Sequence, residues 1–109
     1  MNNFSDKDWK LFRSKIADWQ EAYIDKLNKE YIEILRGAED AASKFWTLEK
    51  RIRKDKKDCG VQCEMSRSNL LFIMMSLLKE GAITLQDLDD FSDELKDTVK
   101  YFAGSSFKI

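Results

Sequence analysis

Apolar side chains recur at Trp9, Phe12, Ile16, Trp19 and Tyr23, and then at Ile24, Leu27, Tyr31 and Ile34. Steps of three and four residues lay them along one side of a helix. Ser5 stands before the stripe as a cap, and Asp6 and Asp8 fall in the first turn, where negative charge is favoured. Nothing between Ser5 and Arg36 breaks a helix. The pattern predicts one long helix, or two collinear ones, ended by Gly37.

After a loop or loose turn at residues 38–43, a second predicted helix carries Phe45, Trp46, Leu48 and Ile52 on its apolar side. Its outer face and C-terminal end are basic. Residues 58–65 interrupt the pattern, with Gly60 as a natural turn residue. Ser66 or Ser68 then caps a third helix. Residues 70–78 are apolar everywhere except Ser76, so this helix is expected to be buried nearly all round, with Met74 and Met75 filling irregular gaps. Gly81 ends it. Thr84 with Asp87 makes a capping box that opens a fourth helix, striped by Leu85, Leu88, Phe91, Leu95, Val99 and Phe102. Gly104 closes that helix, and the tail frays or packs back through Phe107.

Four helices with short connections predict an all-α, antiparallel bundle of about four helices with a long first helix. The absence of proline, with only four glycines, fits long helices better than turn-rich sheets. At 109 residues, with no repeat or linker, the chain is expected to form a single helical domain over residues 1–109. A content of 43% hydrophobic and 36% charged residues places it among globular chains, away from disorder.

Charge changes the picture locally. The net charge of -1 gives no global attraction to nucleic acid or an anionic membrane. Residues 50–57 nevertheless carry a net +5 and residues 84–98 a net -5. Lys50, Arg53, Lys54 and Lys57 share a helix face by spacing, and Arg51 lies beside them. These five are the basic candidate surface, for an acidic protein partner or for nucleic acid phosphates. Asp87, Asp89, Asp90, Asp93 and Glu94 form the acidic candidate face, without the spacing of an EF-hand loop. Each run also reads as an ordinary solvated helix face. The aromatics are expected to be mostly core, with Trp9 the candidate for an exposed one.

Several chemistries lose their residues. No histidine is present, which removes His-based triads and the commonest metal ligand. The glycines, at positions 37, 60, 81 and 104, make no phosphate loop. Cys59 and Cys63 are one C-x3-C pair, short of a four-ligand zinc site, and read as loop thiols. Lys54, Lys56 and Lys57 are close enough in sequence to lower a thiol pKa and make Cys59 reactive. No cofactor and no catalytic residue is assigned. The N-terminal segment has no secretory h-region. The apolar run at 70–78 spans only about 13 Å of helix against a ~30 Å hydrocarbon core. The expectation is a cytoplasmic protein with reduced thiols and no membrane span.

Residues 8–35, 44–57 (KFWTLEKRIRKDKK), 65–69 (MSRSN) and 91–102 (FSDELKDTVKYF) resemble a group of small, uncharacterised bacterial proteins sometimes labelled multidrug transporter. The resemblance implies a soluble bacterial family and supplies no catalytic residues. The stretch LLKEGAITLQDLDDF at 77–91 is similar to the short helical SHOCT motif, in which a helix ends in glycine, an Ile-Thr pair follows and a new helix begins. The functional expectation is a non-enzymatic, regulatory module that binds another protein. The alternatives are a nucleic-acid-associated regulator working through residues 50–57, or an anti-CRISPR-like inhibitor of a host defence system. The apolar third helix leaves room for a homodimer.

Overall fold

The computed structural model describes residues 5–106, with side chains through residue 103. Helix α1 runs Asp6–Arg36 without a break. Its 31 residues extend about 46 Å at 1.5 Å each, most of the molecule's 51 Å length. Ser5 caps it, its Oγ accepting from the Asp8 N–H at 3.1 Å. At the other end the Gly37 N–H reaches the Ile34 carbonyl at 3.2 Å, and its φ of -61° is ordinary rather than left-handed. Helix α2 follows at Ala41–Asp55, α3 at Leu70–Glu80 and α4 at Asp93–Ser106. The described residues thus form a small all-α bundle with no strand.

The core occupies one half of this bundle. Phe12 and Ile16 of α1 meet Leu70, Ile73, Met74 and Leu77 of α3, together with Ile83, Leu88, Phe91, Leu95 and Val99. The aromatic series Trp9, Phe12, Trp19 and Phe91 runs through it, with ring centroids 5.7, 6.2 and 6.3 Å apart. No residue of α2 belongs to this core. The second half is a two-helix hairpin, in which α2 runs back along the C-terminal part of α1.

Three expectations are corrected. The capping box is present, with the Thr84 N–H 2.7 Å from Asp87 Oδ2, but it opens only a 3-10 turn at Leu85–Leu88. The fourth helix starts at Asp93, because Ser92 caps it, its Oγ taking the Leu95 N–H at 3.2 Å. It also runs through Gly104 to Ser106. Second, α3 is not buried all round. Leu70, Ile73, Met74 and Leu77 are buried, while Phe72 points to solvent, 68% exposed. Neither Ser66 nor Ser68 caps α3. Their hydroxyls lie 3.2 Å from each other instead. Third, Trp9 is half-buried against Phe12 rather than exposed. Phe107 lies outside the described residues. Gly81 ends α3 as expected, at φ 83°, the left-handed conformation that a side chain would strain.

One polar contact ties the two ends of the core together. Asp8 is buried, and its carboxylate accepts from the Ser92 N–H at 2.9 Å and the Ser92 hydroxyl at 2.6 Å. A carboxylate at the N-terminus of α4 also meets the positive end of that helix's dipole. Removing it leaves two half-buried donors of Ser92 without their acceptor. Asp8→Ala is expected to lower unfolding free energy by about 1–3 kcal/mol in urea titration. Asp18→Ala, on the exposed side of α1, should stay within about 0.5 kcal/mol of wild type.

Candidate functional site

Helix α2 packs with its polar side inward. Asp40 caps it, accepting from the Ser43 hydroxyl at 2.7 Å and the Ser43 N–H at 3.3 Å, which holds the Asp40 carboxyl below its usual range. From there Arg51 and Asp55, one turn apart, face α1. Asp55 is buried. It accepts the Tyr31 hydroxyl proton at 2.6 Å, and Arg51 Nε lies 3.0 Å away, an ion pair without a directed hydrogen bond. Arg51 also binds Glu30 on α1, and its guanidinium lies 5.7 Å from the Tyr31 ring centre.

The apolar residues of α2 therefore turn outward. Phe45 is 60% exposed, Trp46 62% and Ile52 37%. Phe45 and Trp46 meet edge to face, with centroids 4.9 Å apart. A groove of about 350 Å³ runs along this side, lined by Phe45, Leu48, Ile52, Glu49, Arg53 and Lys56. A smaller one of about 240 Å³ adjoins it through Ile52 and Lys56 and reaches Ile24, Leu27 and Tyr31 of α1. Burial of large aromatics is the main source of packing energy, so a helix that exposes two of them forgoes that energy in the isolated chain.

The sequence-derived basic surface is only partly assembled. Arg51 turns inward. Arg53 is bound by Glu49 one turn earlier, and Lys54 lies 3.7 Å from Asp55. Lys57 sits in the turn beyond the end of α2 and is exposed. The acidic residues share no helix face either. Asp87 belongs to the capping box, while Asp89 and Asp90 follow in the next turn, Asp90 lying 3.8 Å from Lys15. Asp93 and Glu94 open α4, where Asp93 pairs with Lys96 at 3.5 Å. All five are exposed.

The cysteine loop is stitched down by three side chains from two helices. Glu80 of α3 accepts the N–H groups of Cys59 and Gly60, each at 2.9 Å. Gln20 donates to the Cys59 carbonyl at 2.9 Å, and the Tyr23 hydroxyl to Asp58 at 2.6 Å. Gly60 is required here, because a Cβ would sit 2.4 Å from the Tyr23 ring. Burial pushes both thiols up. Glu80 adds to this at Cys59, and Cys59 and then Glu80 add to it at Cys63. The expectation of lysine-lowered thiols is thus reversed. Among the described residues no group of three Cys, Asp or Glu side chains is placed to hold a metal ion, and no helix is long and apolar enough to cross a membrane.

Sequence reasoning named Phe45, Trp46 and Ile52 as an apolar stripe but missed that they face solvent. The signal lay in Asp55, a lone acid among basic residues, four positions after Arg51. Comparisons of the chain with protein-family models, curated proteins and solved structures return no match.

Burial, then the hydrogen bond to Asp55 and the Asp55 charge, push the Tyr31 hydroxyl up to about 12. The folded chain holds this proton more tightly than the unfolded chain does. The associated stability is whole below about pH 10 and is lost as pH rises from there towards 12. Urea midpoints at about pH 9 and about pH 11 should fall further apart in wild type than in Tyr31→Phe.

Proposed function

We propose that this chain is a non-enzymatic interaction module that docks a protein on the outward side of α2 and regulates by occupying that partner. The observation that carries this reading is the exposure of Phe45 and Trp46 beside an apolar groove, while charged Asp55 and Arg51 of the same helix are turned inward. Aromatic anchors ringed by polar groups are the usual composition of an interface centre, and Glu49, Arg53 and Lys56 supply such a rim. The engagement of Arg51, Arg53 and Lys54 by carboxylates favours a protein partner over nucleic acid, since those cations already have counter-charges.

Affinity capture from nuclease-treated host lysate, with wild type and Phe45→Glu/Ile52→Glu side by side, tests the reading. A stoichiometric protein on the wild type, absent from the double variant, is expected. Capture unaffected by the substitutions, or nucleic acid as the sole captured species without nuclease, would contradict it.

A further inference from the structure

We infer that the occupant of this face is a second copy of the chain, with the two α2 helices packed antiparallel about Leu48 so that two hairpins close into a four-helix bundle. The inference rests on the docking face proposed above and names its partner.

The first observation is symmetry in the apolar pattern. Phe45 and Ile52 flank Leu48 at three and four residues. Turning α2 end for end about Leu48 brings Phe45 opposite Ile52 to within one residue and sets Leu48 against itself. A two-fold interface requires this self-complementarity, in which each patch meets its own copy. A partner of unrelated sequence does not.

The second observation is charge. Glu39 and Asp40 stand at the start of α2, and Lys56 and Lys57 just past its end. All four are exposed. The same inversion places Glu39 near the second copy's Lys57, and Asp40 near its Lys56. Parallel pairing would set acid on acid and base on base. Antiparallel packing also aligns the opposed helix dipoles favourably.

The third is architecture. A hairpin of two helices buries apolar surface between its members and leaves the opposite sides open, and two such hairpins complete a bundle. Phe45 has about 150–250 Å² of surface, so at 60% exposure it offers about 90–150 Å² towards the roughly 800 Å² per copy of a standard interface, with Leu48 and Ile52 beside it in the groove.

Sedimentation velocity of the purified chain over a dilution series tests the inference. A concentration-dependent dimer is expected. Phe45→Glu, at an exposed position, should raise its dissociation constant by about 100-fold with an unchanged far-UV circular dichroism spectrum. Phe72→Glu, on α3, should leave it unchanged. Glu39→Lys and Lys57→Glu should each weaken it by roughly 3- to 10-fold, and the Glu39→Lys/Lys57→Glu chain should recover wild-type association. A monomer at every concentration would overturn the inference, as would a dimer lost in Phe72→Glu but kept in Phe45→Glu. So would a charge-swapped chain no tighter than its single parents. A monomer that still captures a protein from lysate through Phe45 and Ile52 removes the second copy and leaves the docking face standing. Loss of both removes the docking face as well.

Discussion

The rotation of α2 about its own axis depends on one buried carboxylate. Asp55 sits almost fully out of water, and a buried charge is tolerated only with partners. Tyr31 of α1 and Arg51 one turn earlier in α2 provide them. Glu30 holds Arg51 from the other side. Once these groups face α1, helical geometry sends Phe45, Trp46 and Ile52 away from it. The exposed aromatic ridge follows from the polar contact.

The rest of the molecule uses the same device at other joints. Asp8 fastens the start of α1 to the start of α4, Glu80 fastens the cysteine loop to α3, and Tyr23 fastens it to α1 through Asp58. The apolar core of α1, α3 and α4 supplies most of the burial, and these polar groups choose which arrangement of helices it adopts. The hairpin half has no comparable core, which leaves its geometry to Tyr31, Arg51 and Asp55.

Much of this was legible in the chain. The three-and-four spacing from Trp9 to Ile34 located α1, Ser5 its cap, and Gly81 the end of α3. Of the stripe from Leu85 to Phe102, Leu88, Phe91, Leu95 and Val99 are buried, while Leu85 and Phe102, at its two ends, are exposed. Local pattern failed where distant groups decide. The break before Asp93 depends on an acceptor at Asp8, at the far end of the chain. The raised thiols depend on burial and on Glu80, whereas the lysines suggested as their modulators are merely close in sequence. The side α2 turns inward could not be chosen from α2 alone, which carries both an apolar stripe and a polar one. Tyr31 and Glu30 across the hairpin decide it.

The central claim is that the Tyr31–Asp55 contact locks α2, and a double-mutant cycle measures it most directly. Urea unfolding of wild type, Tyr31→Phe, Asp55→Ala and the double variant, at one protein concentration, isolates the pair's coupling. The account predicts a coupling of about 1.5–3 kcal/mol, the range for a hydrogen bond to a charged group. Single effects that add to within about 0.5 kcal/mol would show that the two residues act independently, and the outward orientation of Phe45 and Trp46 would lose its physical cause.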